Sequence, residues 1–346
     1  MTDMTAAETL PTTGGSAAHR ATGTTPIVEL ASIGAGLRHR LLAKCEFMNP
    51  AGSVKDRIGH HIVRRAEEAG LLVPGRSTLV EATAGNTGVG LAAAAAGRYR
   101  LVTTMSSKMG PEKEAMMRAW GAEVIRCPYD VPPDSPRSFI NTARRLAEGT
   151  PDSYYVDQFN NPWNAEAHEL TTGPELVRQT GGAIAAFVSG AGTGGTFTGV
   201  GRALRAAVPG AQLVLADPVG SILASRARGG HARPGPYLVE GIGGDFVPGL
   251  LDLSLVDHAI NVEDRDSVRM CLRLQREEGL WVGGSSGCAV AAAVRYAGTL
   301  TGPPATIVVM LPDGGSRYTS TIYDPLWRAE HGITEVDAEA DAQAAV

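Results

Sequence analysis

Residues 77–98 read STLVEATAGNTGVGLAAAAAGR. The first seven are rich in β-branched and apolar side chains, which predicts a buried strand, and residues 86–98 have the apolar, alanine-rich pattern of a helix. A polar turn of threonine, glycine and asparagine joins the two. The same order of strand, turn and helix recurs along the chain, so the sequence predicts an α/β protein with two doubly wound domains and mostly parallel sheets.

The predicted elements cover most of the chain. Strand-like stretches occupy residues 41–47, 77–83, 101–105, 123–128, 185–191, 212–218, 280–284 and 306–311, and helix-like stretches occupy residues 53–70, 86–98, 111–121, 135–148, 194–207, 264–278 and 286–297. A second series of strand–helix units starts near residues 150–165, which predicts a crevice between domains there.

Composition excludes several classes of protein. The 346 residues carry 31 Lys and Arg against 36 Asp and Glu, a net charge of −5, so nucleic-acid binding is not expected. No apolar run approaches the roughly 20 residues that cross a bilayer, so no membrane association is expected either. The four cysteines and eight histidines show no metal-ligand spacing, which predicts no metal site and no disulfide framework. We therefore expect a reducing, cytoplasmic compartment.

Two of the polar turns carry candidate chemistry in the first half of the chain. In residues 49–57 (NPAGSVKDR), Ser53 and Asp56 have capping-box spacing, and Lys55 falls in the first helical turn, where the helix dipole lowers the pKa of an amine. Such a lysine suits Schiff-base chemistry, although a solvated lysine would have the same spacing. In residues 81–90 (EATAGNTGVG), backbone N–H groups can bind a carboxylate and Asn86 a ligand oxygen, or the stretch is a plain turn.

The second half contains two more such turns. Residues 189–198 (SGAGTGGTFT) place glycines and threonines between a strand and a helix, a pattern typical of a cup for a single phosphate, or of a glycine turn needed for packing. They match neither a P-loop nor a dinucleotide fingerprint. In residues 283–287 (GGSSG), Ser285 either faces the crevice or caps the next helix.

Together these motifs resemble one known family. KCEFMNPAGSVKDR, TAGNTG, GTGGT and GGSSG occur in the order and at the spacing of the cysteine synthase and cystathionine β-synthase family of fold-type II, tryptophan synthase β-like, pyridoxal-phosphate enzymes. The resemblance covers about residues 25–325. KCEF (44–47), DSP (134–136), ADPVGSIL (216–223) and VEGIG (239–243) are most similar to the catalytic core of the cystathionine β-synthase branch.

The resemblance implies a set of site residues. Lys55 would form the Schiff base with pyridoxal phosphate and carry the Cα proton, and Ser285 would face the pyridine nitrogen. Asn86 would contact the ring oxygen of the cofactor. The phosphate would bind Gly192, Thr193, Gly194, Gly195 and Thr196. The substrate carboxylate would bind Thr83, Ala84, Thr87 and Gln158.

The resemblance implies a division into two domains, and the composition of the two ends, poor in apolar pattern, predicts disordered tails. We expect a disordered tail over residues 1–24, an N-terminal domain over 44–160, a C-terminal domain over 25–43 and 161–330, and a disordered tail over 331–346. A homodimer acting on small amino-acid substrates is expected. The sequence shows no haem-binding Cys/His segment before Cys45, so haem control is not expected.

The activity implied is β-replacement on serine or an O-activated serine through an aminoacrylate, with homocysteine giving cystathionine. The alternatives are cysteine synthesis with sulfide, addition of an amine to give a diamino acid, and serine/threonine dehydration. A non-enzyme alternative is a protein that only binds the tail of an acyltransferase, but such a protein would not need the intact Lys55. Three positions depart from the family pattern. Ala84 stands where the family usually has a serine, and Phe159 stands where many cystathionine-forming members have a tyrosine. Gly244 stands where some cystathionine β-synthases have a tyrosine.

We expect Ala84→Ser to have little effect on substrate choice, because the turn binds carboxylate mainly through its backbone N–H groups. The measurement is kcat/KM for serine-type and threonine-type donors side by side. The ratio of kcat/KM between the two donor types should differ by no more than about threefold between Ala84→Ser and wild type. A shift of tenfold or more, within the range that one small group provides in a pocket, would instead make Ala84 a determinant of specificity.

Overall fold

The computed structural model describes residues 17–83, 85–132 and 134–333. Ala84 lies outside these residues. The strands are β1 Ile27–Glu29, β2 Arg40–Cys45, β3 Thr78–Ala82, β4 Arg100–Ser106, β5 Glu123–Cys127, β6 Ser153–Tyr155, β7 Ala186–Gly190, β8 Gln212–Pro218, β9 His258–Val262 and β10 Thr306–Leu311. The helices are α1 Ala17–Ala21, α2 Lys55–Glu68, α3 Asn86–Ala95, α4 Pro111–Ala119, α5 Phe139–Gly149, α6 Pro162–Ala167, α7 Gly173–Thr180, α8 Gly195–Ala207, α9 Leu223–Ala227, α10 Asp264–Glu278, α11 Gly284–Thr299 and α12 Pro325–Glu330.

The strands form two sheets. The larger has the order β1-β2-β10-β7-β8-β9 and the smaller the order β5-β4-β3-β6. Every pair is parallel except β1 with β2. Helices cover both faces of parallel sheets, which is why β3 is buried at all five positions. The predicted α/β class with mostly parallel sheets is confirmed.

One predicted strand is wrong. Residues 280–284 contribute a single bridge between Val282 and Gly314, and α11 already begins at Gly284. The central strand β10 is paired on both sides, by β2 and β7, so its edges offer no place for another strand. Apolar composition alone could not show that these edges were taken.

Other elements lie outside the predicted set. β1 and β6 have three residues each, too few for a periodic pattern, and β9 is only half-buried. Within the stretch expected to be a disordered tail, α1 forms and its His19 ring packs edge-on against His60, with 5.0 Å between ring centroids. β2 ends at Cys45, so the larger sheet includes two residues of the proposed N-terminal domain.

Helices α2 and α3 touch backbone to backbone. A Cβ placed on Gly59 would lie 2.5 Å from the carbonyl oxygen of Gly90, and one on Gly90 would collide with the carbonyl of Lys55. Only glycine permits so close an approach. The contact places the first turn of α2 directly beside α3, and therefore beside the turn that precedes α3.

We expect Gly90→Ala to lower the free energy of unfolding by about 1–3 kcal/mol, the usual cost of overpacking a close-packed interior. The added methyl would meet backbone atoms, which cannot rotate away. Gly149→Ala is the control, because a Cβ there has open space and alanine favours the helix. Urea unfolding should show a lower free energy of unfolding for Gly90→Ala and not for Gly149→Ala. Equal stability of the two variants would contradict the close contact between α2 and α3.

Candidate active site

The segment before Lys55 is held differently from the predicted capping box. α2 begins at Lys55, and the Ser53 hydroxyl accepts a hydrogen bond from the Lys55 N–H at 3.2 Å. The Asp56 carboxylate reaches further back and accepts from the Ala51 N–H at 2.5 Å. Because Asp56 is buried, its pKa is raised to about 6, although the Ala51 N–H opposes this. The Ser53 hydroxyl thus bonds the Lys55 N–H and not that of Asp56, as a capping box would require, while the Ser53 backbone N–H also favours the charged form of Asp56 and so opposes the raised pKa.

Lys55 is partly buried at the start of α2. Burial lowers the pKa of its amine, while the charges of Asp313 and Glu46 act in the opposite direction. The predicted direction of the shift is therefore right, but its main cause is loss of solvent rather than the helix dipole. A lowered pKa gives a larger neutral fraction of the amine, the form that accepts a proton or attacks a carbonyl.

The turn before α3 is organised around Thr83. Its hydroxyl oxygen accepts hydrogen bonds from the N–H groups of Gly85 at 2.9 Å and Gly88 at 3.2 Å. Two of the N–H groups expected to bind a carboxylate are thus already used. Next to them, the Thr87 hydroxyl donates to Gln158 Oε1 at 2.5 Å, and Gln158 Nε2 donates to the carbonyl of Ala82 at 2.8 Å. Thr83, Thr87 and Gln158 are buried together at the end of β3.

The predicted phosphate cup lies between β7 and α8. Gly194 has φ 86°, in the left-handed region, and α8 begins at Gly195. A Cβ on Gly192 would collide with the carbonyl oxygen of Gly241, and one on Gly195 with the side chain of Asn164. The backbone N–H groups of this loop and the positive end of α8 make a concave site suited to an anion.

Two side chains that the motifs did not indicate support the cup. Asn164 Nδ2 donates to Thr193 Oγ1 at 3.1 Å and to the carbonyl of Gln158 at 2.8 Å, which joins the cup to the turn at β3. His168 Nε2 lies 3.1 Å from Thr196 Oγ1, and burial holds the pKa of this histidine well below its usual range. His168 opens a short π-helical segment, His168–Thr172, a feature frequent at functional sites.

Ser285 lies inside the first turn of α11, which begins at Gly284 with Gly283 as its N-cap. The alternative of Ser285 as a capping residue is therefore wrong. Its side chain is buried, and within the described residues no hydrogen bond is recorded for its hydroxyl. Close by, Asp313 follows the central strand β10 and accepts a hydrogen bond from Asn86 Nδ2 at 2.7 Å. Sequence reasoning missed Asp313, because an acid after a strand has no motif of its own.

Side chains from both halves of the chain meet beside the turn before α3 and beside Gln158, and we call Lys113, Glu240, Phe159 and Phe246 the rim of the site. Lys113 of α4 bonds Glu240 Oε2 at 2.5 Å and lies 4.6 Å from the centroid of the Tyr318 ring. Phe159, next to Gln158, packs against Phe246 with 6.0 Å between centroids. The rim thus combines one ion pair with an apolar aromatic pair.

Beneath the site lies a buried ion cluster of Lys44, Glu46, Arg57 and Glu175. Arg57 contacts Glu46 at 2.7 Å and Glu175 at 2.8 Å, and Lys44 contacts Glu175 at 2.9 Å. Burial alone would raise the pKa of Glu175, but hydrogen bonds from Arg57 lower it to about 2. The cluster joins β2, the first turns of α2, and α7.

The proteins similar to this chain are pyridoxal-phosphate enzymes. The family described as pyridoxal-phosphate dependent enzyme matches residues 19–313, and the chain belongs to this family. Cystathionine beta-synthase of Oryctolagus cuniculus is 43% identical over 316 residues, which cover 90% of this chain and 57% of that protein. Its counterpart in Saccharomyces cerevisiae is 40% identical over 330 residues, covering 92% and 65%. The chain thus spans less than two thirds of the length of these relatives.

A solved structure is also similar. The O-acetylserine dependent cystathionine beta-synthase from Helicobacter pylori is 35% identical, with a TM-score of 0.81, over 89% of this chain and 98% of that one. The predicted family, fold class and cofactor are confirmed by these matches. None of the helices within the described residues is long and apolar enough to cross a membrane.

The residues present fit the cofactor. The backbone N–H groups before and at the start of α8 suit an anion, and the glycines of this loop pack tightly against protein atoms. Ser53, two residues before Lys55, forms a bridge with Asp313, which in turn bonds Asn86. The Ser285 hydroxyl is buried, and no hydrogen bond is recorded for it among the described residues, as expected in a site that receives a polar ligand.

We expect Glu175→Gln to lower the free energy of unfolding at pH 7 by about 3–5 kcal/mol, because it leaves buried Lys44 and Arg57 without a full counter-charge. The pKa of Glu175 in the folded protein, about 2, lies below its usual 4.5. Its stabilising effect is therefore complete above about pH 4.5 and is lost as the pH falls toward 2.

Urea unfolding at pH 7 and in the acid range measures both effects. The difference between wild type and Glu175→Gln should shrink on acidification. Glu29→Gln is the control, because the ion pair of Glu29 with Arg40 is exposed and should matter little. A constant difference across the pH range would contradict the role of the Glu175 charge.

Proposed function

We propose that this protein catalyses β-replacement on serine or an O-activated serine and that homocysteine is the acceptor, giving cystathionine. The observation that carries the proposal is a chain of contacts that joins the three motifs. Ser53, two residues before Lys55, bridges Asp313, which bonds Asn86, and Asn164 joins Thr193 of the glycine cup to Gln158, which bonds Thr87. Similarity to cystathionine beta-synthases over 90% of the chain, and to an O-acetylserine dependent one, supports the reaction and the donor class.

In this proposal the chain holds the cofactor at three points. The N–H groups of Gly192, Gly194 and Gly195, with the hydroxyls of Thr193 and Thr196, would bind the phosphate. Asn86 would donate to the ring oxygen. Ser285 would offer a neutral hydroxyl to the pyridine nitrogen, a weaker partner than an acid, which favours elimination and replacement over transamination.

When bound, pyridoxal phosphate withdraws electrons from the Cα of the amino acid, which makes its proton acidic. Lys55 Nζ removes that proton, and its lowered pKa makes the neutral amine available for this. The Thr83 hydroxyl and the remaining Nε2–H of Gln158 would hold the substrate carboxylate, while Thr87 orients Gln158 through the hydrogen bond to its Oε1. These contacts would orient the Cα–H bond toward Lys55. Ala84, also proposed from the sequence to bind the carboxylate, lies outside the described residues.

Sulfide in place of homocysteine is the second candidate. The specific observation is the rim pair of Phe159 and Phe246, which presents two aromatic rings and no phenolic hydroxyl to an incoming amino acid. A small acceptor needs no polar contact there, whereas homocysteine has an ammonium and a carboxylate to solvate.

We also propose a homodimer that works in the cytoplasm. Resemblance to the family supports the dimer. The four cysteines are unpaired and buried, which supports a reducing compartment.

The test is a panel of donors (serine, O-acetylserine, O-phosphoserine, threonine) against acceptors (homocysteine, sulfide, amino acids), read by mass spectrometry. We expect cystathionine to form fastest. Faster cysteine formation would assign the sulfide reaction, a diamino acid the amine reaction, and pyruvate without any adduct a dehydratase.

Lys55→Ala should keep the fold, lose the visible absorbance of the bound cofactor and lose nearly all turnover. The buried ion cluster holds this part of α2 without Lys55, so circular dichroism should be unchanged. Lys108→Ala, at an exposed position in the turn after β4, is the control and should keep both absorbance and turnover. Near-normal turnover in Lys55→Ala would contradict the mechanism.

A further inference from the structure

The side-chain amide of Asn86 lies between two opposite charges. Its Nδ2 donates to Asp313 Oδ2 at 2.7 Å, and its Oδ1 accepts from Arg317 Nε at 2.9 Å. Both charged residues are at least 95% buried. Because a carboxylate only accepts and a guanidinium only donates, the two partners allow one orientation of the amide.

Turning the amide over would bring its oxygen against the carboxylate and its NH₂ against the guanidinium. Both contacts are repulsive, and in a buried site neither is relieved by water. One N–H of Asn86 is used by Asp313. For the other, no hydrogen bond is recorded within the described residues, and Asn86 is the only one of the three that is partly exposed.

The two charges are themselves fixed to the framework. Asp313 lies two residues after the end of β10, its carbonyl accepts from the Gly283 N–H at 3.1 Å, and its Oδ2 also accepts from the Tyr318 hydroxyl at 2.7 Å. Arg317 Nη2 donates to the carbonyl of Ala51 at 2.5 Å, in the segment that leads to Lys55. We call Asp313 and Arg317, which bond the two ends of the Asn86 amide, the clamp. Both residues lie in the segment that follows the central strand β10.

We infer that Asp313 and Arg317 are positioning residues that hold the Asn86 amide in the one orientation that presents an N–H, and not the carbonyl oxygen, to the ring oxygen of the cofactor. The inference rests on the proposed function, which places that ring oxygen at Asn86. Asp313 and Arg317 then act on cofactor binding through Asn86 and not by their own contact with the cofactor.

A double-mutant cycle on the cofactor-binding step tests this. Asp313→Asn, Asn86→Ala and the double variant are compared with wild type by the dissociation constant for pyridoxal phosphate and by the visible absorption band of the bound cofactor. Asp313→Asn keeps the shape but removes the charge. Asp217→Asn is the matched control, because Asp217 is a buried acid at the end of β8 in the same sheet and is bonded to the Ala224 N–H, away from Asn86.

In the wild-type background, Asp313→Asn should raise the dissociation constant about tenfold, the range for a hydrogen bond to a charged group, and should shift the absorption band. In the Asn86→Ala background, adding Asp313→Asn should alter the dissociation constant by no more than about twofold and should not shift the absorption band further. Asp217→Asn should change neither quantity.

Three results would overturn the inference or its basis. An equal fold-change in both backgrounds would show that Asp313 acts independently of Asn86, and an equal change in Asp217→Asn would show a general effect of losing a buried acid. Each overturns the clamp alone. If Asn86→Ala itself leaves the dissociation constant and the band unchanged, the proposed contact of Asn86 with the cofactor is wrong.

If circular dichroism shows that Asp313→Asn does not fold, Arg317→Lys replaces it in the double-mutant cycle with Asn86→Ala, and so tests the partner of Asn86 Oδ1. Lysine keeps the positive charge but lacks the Nε–H that bonds Asn86 Oδ1. The inference requires the same coupling to Asn86→Ala, and additive effects would overturn it.

Discussion

Helix α2, which begins at Lys55, depends on a cluster of buried charges. Lys44, Glu46, Arg57 and Glu175 are each stable in the interior only because the others are in place, since a buried charge without its partner is costly. Their geometry therefore specifies together where β2 ends, where α2 starts and how α7 packs. Lys55 is two residues from Arg57, so the position of the reactive amine follows from the position of the buried ion cluster.

Much of the fold could be predicted because strand and helix patterns are local. The stretches of β3 with α3 and of β7 with α8 lie within a residue or two of their expected starts, since both strands are short apolar runs that end at glycine-containing turns. The strand expected at residues 280–284 could not be excluded in the same way, because pairing of β10 on both edges is a property of the whole sheet. The antiparallel β1 was too short to give a pattern.

The candidate site was predictable where glycine, threonine and lysine occur in motifs, and less so where single side chains support them. Asn164, His168 and Asp313 each contact a motif residue, yet each comes from another part of the chain. The lowered pKa of Lys55 had the expected direction, but the burial that dominates it depends on how the whole crevice packs. Contacts between residues that are far apart in the chain cannot be predicted from local sequence patterns.

The backbone contact between Gly59 and Gly90 also limits how the protein can be altered. A library that varies α2 or α3 in search of a new substrate will lose most of its members if either glycine is included, whatever the other positions offer. Variation at the rim, where Phe159 and Phe246 are partly exposed, meets no such barrier. Directed evolution of this scaffold should therefore begin at the rim and leave the helix crossing untouched.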